Sequence, residues 1–287
     1  MLYVYFMHSH IGGVSHIMGD MDDCLHYKVF GRGEKALLFL HGWGGNSSSF
    51  APLVNILKDT YFCICPDFYG HGETPCNAVY TLHDFTLGVG RVLEKEGISR
   101  VSIVAHSFGG RVALDMASDP RINALVIMDG AGMKPRPSVK KFARTLDYRV
   151  KKLIAADTSR CGSPDYRALS PQMKATFVNV VNTRQNGVLG QINKPTLLIW
   201  GKDDCDTPLY MAHKMHKGIS VSRLIVLSGG HFCYLDHAFE VAGYIRNFLN
   251  GVYYGVDSVG SGRHIGRGDG NARNGVDTTF GIQDKPQ

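Results

Sequence analysis

The sequence predicts an α/β fold: a mostly parallel central sheet with helices on both faces and an inserted helical cap. Three observations carry this. Short runs rich in Val, Ile and Leu alternate with stretches of helical periodicity, the pattern of βα units around a parallel sheet. Most of the runs are continuously apolar, as strands covered on both faces must be. One interval is far too long for a crossover. About 64 residues separate "IMDG" from "TLLIW", well beyond ordinary connection lengths.

The strand runs are "ALLFLHG" (36–42), "YFCICPD" (61–67), "VSIVAHS" (101–107), "ALVIMDG" (124–130), "TLLIWG" (196–201) and "RLIVLSG" (223–229). "LHYKVFG" (25–31) alternates more and suits an antiparallel edge strand. Helical patterns fill 81–96, 108–118, 208–217 and 236–249. In the long interval, Val139, Phe142, Leu146, Val150 and Leu153 recur at helical spacing. A second helix is expected from Ser170 as N-cap, with Pro171 at its first position and Met173, Phe177, Val180 and Val181 on its apolar face.

These boundaries give an N-terminal extension (1–22), a core (23–130 and 195–250), a helical cap insertion (131–194) and a tail (251–287). The tail is rich in Gly, Asp and Asn and poor in large aliphatic residues. It buries too little apolar surface to offset its ordering entropy and is expected to be disordered.

Composition narrows the class. Of 287 residues, 44% are hydrophobic, which suits a globular chain with a sizeable core. No apolar run reaches the ~18 residues of a membrane span. The start, "MLYVYFMHSHIGG", has neither a positive n-region nor an A-x-A-like site, so no signal peptide is expected. Seven cysteines at scattered spacings are no disulfide framework. A reducing, cytoplasmic setting is expected. His8, His10 and His16 lack a Cys or carboxylate at ligand spacing, so no metal is expected, and no cofactor.

The net charge of +6 is unevenly placed. Residues 131–194 hold 13 Lys and Arg against 3 Asp and Glu, a net of +10, and the rest of the chain is −4. Lys134, Arg136, Lys140, Lys141, Arg144, Arg149, Lys151 and Lys152 crowd one stretch. Two readings stand: a solvated helix face, or attraction of an anionic partner such as a carboxylate-bearing ester, an acyl carrier protein or an anionic surface. Nucleic acid is not expected, since no recognition module accompanies the charge. Oligomeric state is not legible.

"VSIVAHSFGG" (101–110) carries the chemistry. A strand ends on Ser107 and a helix pattern starts at once. Ala105 and Gly109 supply the small residues that a sharp strand-to-helix turn needs two before and two after a nucleophile. Such a turn exposes the serine oxygen beside helix N–H groups aimed at developing negative charge. "LFLHGWGG" (38–45) follows an earlier strand, where the second donor of an oxyanion hole would sit. The expected donors are the backbone N–H groups of Trp43 and Phe108.

With "DFYGHGET" (67–74) after the next strand, the chain resembles the α/β-hydrolase superfamily over residues 25–250. The resemblance rests on its HG loop, D-x-x-G-x-G loop, elbow and cap in order. It implies the chain order Ser, acid, His. "GKDDCDTP" resembles the G-x-x-D-x-x-[VT]-P pattern and aligns Gly201, Asp204, Thr207 and Pro208, so Asp204 is the expected acid. Asp129, ending "VIMDG", is the rival. Asp203 and Asp206 are read as solvated turn residues. The base is His231 in "LSGGHFCYLD". His106 is expected to point away from the pocket, His41 to brace the oxyanion loop, His71 to sit in a turn, and His213, His216 and His237 to lie on surface helices.

The resemblance implies a serine hydrolase of carboxylic esters working through an acyl-enzyme, with a small-molecule ester, in the second charge reading an anionic one, as substrate. Two alternatives keep the same residues: a C–C bond hydrolase or lyase, and a low-turnover ligand-binding receptor. The serine at 107 argues against the epoxide hydrolases and haloalkane dehalogenases, which use aspartate there. "AHSFGG" does not match the proline iminopeptidase elbow. "LHGWG" is similar to the pimeloyl-ACP methyl ester esterases.

Overall fold

The computed structural model describes residues 24–136, 164–254 and 282–283. Strand β1 (Tyr27–Phe30) leads to β2 (Lys35–Leu40), α1 (Ala51–Leu57), β3 (Tyr61–Pro66), α2 (Leu82–Lys95), β4 (Val101–His106), α3 (Phe108–Asp115) and β5 (Ile122–Met128). Then come α4 (Pro164–Ala168), α5 (Pro171–Asn182), β6 (Thr196–Gly201), α6 (Tyr210–Gly218), β7 (Ser222–Leu227), α7 (Cys233–Asp236), α8 (Ala238–Tyr254) and β8 (Ile282–Gln283).

The sheet order is β1-β3-β2-β4-β5-β6-β7-β8. Strands β2 to β7 pair in parallel, and β1 and β8 close the two edges antiparallel. The sheet is therefore mostly parallel with helices on both faces, as the apolar runs require. On one face, Phe85 and Val89 of α2, Val112 of α3 and Met215 of α6 bury against Leu38, Ile103 and Leu198. On the other, Leu53 and Leu57 of α1 and Ile245 and Leu249 of α8 bury against Phe39, Val104 and Ile199. Both layers keep the strands dry, so each backbone polar group needs its ladder partner.

Local signals explain the helix starts. Thr81 accepts the Asp84 N–H while the Asp84 carboxylate accepts the Thr81 N–H, a capping box for α2. Ser170 accepts the Met173 N–H and Pro171 opens α5.

Several expectations are corrected. The last helix runs to Tyr254, past the boundary at 250, because Tyr253 reaches the buried Ser102 Oγ at 2.9 Å and Lys35 lies over the Tyr253 and Tyr254 rings. Of the tail expected to be disordered, Ile282 and Gln283 pair with β7 as β8, and residues 255–281 and 284–287 lie outside the described residues. Helices α1 and α4 were not expected at all. On α5, Val181 is exposed, and Thr176 takes the buried place because its hydroxyl accepts the Tyr80 N–H. The helix expected over Val139–Leu153, and the basic residues from Lys140 to Lys152, lie outside the described residues. Among the described residues no helix is long and apolar enough to cross a membrane.

Candidate active site

Strand β4 delivers Ser107 to the carboxyl end of the sheet, where α3 begins. Ser107 sits at φ 50° and ψ −114°, a conformation that costs on the order of 1–3 kcal/mol and persists only where its surroundings impose it. Those surroundings are visible. The Ser107 N–H donates to the Met128 carbonyl, and the Ser107 carbonyl accepts from Gly110 and Ala131. A Cβ at Gly109 would run into the Leu40 carbonyl oxygen, so the small residue two after the serine is a steric requirement.

The three residues expected from the sequence come together. Ser107 Oγ lies 2.9 Å from His231 Nε2, and His231 Nδ1 lies 2.9 Å from Asp204 Oδ2. A carboxylate only accepts, so Nδ1 carries the proton and Nε2 is left to accept the serine hydroxyl. Asp204 is well held. Its Oδ1 accepts the Asp206 and Thr207 N–H groups, and the Thr207 hydroxyl is 2.6 Å from Oδ2. Burial pushes the Asp204 pKa up, but the hydrogen bonds from His231 and Thr207 outweigh it and hold the carboxyl well below its ordinary range. Burial also works against a charged His231. The hydrogen bond and charge of Asp204 outweigh it, and the imidazole pKa is raised. A carboxylate thus stabilises the imidazolium that a proton transfer would create.

Asp203 and Asp206 are exposed. Asp129 is fully buried and neighbours the acid without touching His231. Its Oδ1 accepts the Gly201 N–H at 2.8 Å, its Oδ2 takes the Cys233 thiol at 3.3 Å, and its carbonyl is 2.9 Å from the Thr207 hydroxyl. It therefore ties together the loops that carry the acid and the base. Burial pushes its pKa up to about 7. These ties, and the part of Thr207, were not foreseen. The sequence presents Thr207 only as part of the aligned motif and Asp129 only as a rival acid.

The HG loop passes against the serine, since a Cβ at Gly42 would contact Ser107 Cβ. Trp43 and Phe108 flank Ser107 with their rings edge to face at 5.4 Å. Among the described residues neither backbone N–H has a protein acceptor. His41 lies behind this loop, with Nδ1 2.7 Å from the Gly42 carbonyl and Nε2 accepting the Phe68 N–H. Burial lowers its pKa to about 4, so it is neutral. His106 turns its ring to the back of His231, and its Nε2 is 2.7 Å from the His231 carbonyl. His71 is buried against Trp43 in the loop after β3. His216 is buried too, against the expectation of a surface position, because Ser222 Oγ lies 3.0 Å from its Nδ1. From α5, Phe177 packs on Trp43 at 5.1 Å, and Tyr166 packs on Phe177.

Two groups of ligand-type atoms lie close enough to share a cation: Asp204, Asp206 and His231, and His26, Asp67 and Glu73. In the second, Asp67 already accepts the Ser47 and Glu73 N–H groups and sits 2.6 Å from His26 Nδ1. That set holds the D-x-x-G-x-G loop onto β1.

The sequence model of the alpha/beta hydrolase family matches residues 37–243, and the chain belongs to that family. It is 26% identical over 268 residues to a 2-hydroxy-6-oxononadienedioate/2-hydroxy-6-oxononatrienedioate hydrolase of Dechloromonas aromatica, covering 80% of this chain and 92% of that protein. It is 26% identical over 252 residues to a pimeloyl-[acyl-carrier protein] methyl ester esterase of Neisseria meningitidis, covering 76% and 94%. A thermophilic esterase from Thermogutta terrifontis shares the fold, with TM-score 0.64, 21% identity, and 79% and 93% coverage.

Proposed function

We propose that the chain hydrolyses carboxylic esters of small molecules through an acyl-enzyme on Ser107. The observation that carries this is the unbroken relay from Ser107 Oγ through His231 to Asp204, each step 2.9 Å. His231 Nε2 takes the serine proton as Oγ attacks the ester carbonyl. The N–H groups of Trp43 and Phe108 receive the oxyanion. Asp204 fixes the imidazole tautomer and stabilises its charged form. The imidazolium then protonates the leaving alkoxide, and the alcohol departs. Water, deprotonated by His231, attacks the acyl carbonyl, and its breakdown returns Ser107 with its proton and releases the acid.

The pimeloyl ester esterase supports this reading. The dioate hydrolase supports a second one, C–C bond cleavage with the same three residues. An ester and thioester chain-length series, run on the wild type and Ser107→Ala, tests the first. Turnover of simple esters that vanishes in Ser107→Ala is expected. Cleavage of a C–C substrate with negligible ester turnover would select the second. A cytoplasmic setting belongs to the same proposal and is supported by six described cysteines, all free thiols.

A further inference from the structure

Side chains alternate along β4, so His106 lies on the same face as Val104, the face where Tyr234 packs. The loop that carries His231 crosses that face and meets His106 there. His106 is 2% exposed. Its ring lies 4.8 Å from that of His231, 5.1 Å from that of Phe232 and 4.8 Å from that of Tyr234. On another edge, a Cβ at Gly42 would come within 3.1 Å of its Nδ1. The ring is thus confined on several sides. Its Nε2 is 2.7 Å from the His231 carbonyl. A carbonyl only accepts, so Nε2 carries the proton and donates. Burial pulls the His106 pKa down to about 4, so the ring keeps that neutral donor form at neutral pH.

The base loop depends on ties of this kind. His231 follows two glycines. Gly229 sits at φ 107°, and a Cβ on Gly230 would meet nothing within 4 Å. Glycine backbone is permissive and does not by itself fix the side chain that follows. Three successive carbonyls are held instead, each by a different element. Gly229 accepts from the Asp203 N–H of the acid loop, Gly230 from the Cys233 N–H of α7, and His231 from His106. Of these, the third runs to the nucleophile strand. It closes a short cycle. Ser107 Oγ meets the His231 ring at Nε2, and the residue just before the serine grips the His231 backbone.

We propose that His106 is a positioning residue for the reaction: its Nε2–H holds the His231 carbonyl and so sets the distance between the base and Ser107 Oγ. This rests on the reading of Ser107 and His231 as nucleophile and base. His106 acts through His231, and a misplacement of about 1 Å in a catalytic group can cost about 10²-fold in rate.

The test replaces His106 by phenylalanine, glutamine and asparagine. It reads kcat and KM for a simple ester, the rate of Ser107 labelling by a fluorophosphonate, and Tm. Phenylalanine keeps a flat ring and removes the donor. Glutamine carries its amide nitrogen as many bonds from Cβ as the histidine Nε2, whereas asparagine stops one bond short, at the place of Nδ1. In His106→Phe and His106→Asn, kcat and the labelling rate should fall together by roughly 10- to 100-fold, with KM little changed. His106→Gln should recover most of that loss. Equal losses in all three variants would show that the ring only packs, and would overturn the proposal. A lowered Tm with wild-type kcat and labelling would overturn it too. Should His106→Phe fail to fold, the glutamine and asparagine variants decide, and equal rates in that pair would count against the tether. An unlabelled wild type would overturn the nucleophile reading and this proposal with it, whereas a labelled wild type beside equally fast variants would overturn this proposal alone.

Discussion

Asp204→Asn separates the acid from its neighbours. The asparagine oxygen can still accept the Asp206 and Thr207 N–H groups that hold the loop, so the backbone should stay in place. The change falls on His231 Nδ1, which lies 2.9 Å from Oδ2. An amide NH2 there donates. It forces Nδ1 to accept and moves the ring proton to Nε2, facing Ser107. The charge-assisted hydrogen bond alone is worth about 1.5–3 kcal/mol. The wrong tautomer raises the total loss to about 10⁴ in kcat, the size seen for the equivalent change in a serine protease, or about 5.5 kcal/mol of barrier. The pH profile should move with it. Activity needs neutral His231, so the acidic limb follows the imidazole pKa, which Asp204 holds above its ordinary 6.5. Removing the carboxylate should shift the residual limb to lower pH. The assay is steady-state ester hydrolysis across pH 5–9, beside Asp203→Asn and Asp206→Asn, whose exposed side chains predict mild effects. A mild Asp204→Asn beside a severe Asp129→Asn would refute the assignment.

Other outcomes follow from the same geometry. Asp129→Asn keeps an acceptor for the Gly201 N–H and should cost far less activity than Asp204→Asn. Its clearer mark is on stability. A carboxyl raised to about 7 in the fold binds more protons there than in the unfolded chain, so wild-type stability should decline from about pH 4 to 7, and chemical denaturation of Asp129→Asn should show less of that decline. Gly109→Ala should lower stability by at least about 1–3 kcal/mol in thermal unfolding, since its Cβ meets the Leu40 carbonyl; a wild-type Tm would contradict the elbow geometry. Truncation after Gly251 removes Tyr253 and leaves the buried Ser102 hydroxyl without its partner, so it should destabilise more than truncation after Tyr254, and equal Tm values would contradict this.

The sheet was legible because parallel strands must be apolar on both faces, and that pattern survives in one sequence. Strand boundaries agree to within two residues for β4 and β6. Ser107 was legible because its turn restricts Ala105 and Gly109. His231 and Asp204 were legible through chain order and the pattern around Gly201 and Pro208. Hidden were contacts between residues far apart in the chain. Nothing near Asp129 in sequence shows that Cys233, 104 residues on, meets its carboxyl. Nothing near Arg111 shows that Thr183, 72 residues on, is its acceptor. Short α1 is hidden in the sequence because its seven residues give only about two turns of periodicity after a polar entry, "NSSSF".

The central claim is that Ser107 is an activated nucleophile. It is tested most directly by reacting the protein with a fluorophosphonate and locating the adduct by peptide mass spectrometry. Attack by Ser107 Oγ on phosphorus, with loss of fluoride, should place one adduct on the peptide containing Ser107, in parallel with loss of ester turnover. Ser107→Ala should show neither adduct nor turnover, and His231→Ala should label far more slowly. An unlabelled Ser107 in protein that still turns over esters, or full turnover by Ser107→Ala, would contradict the account.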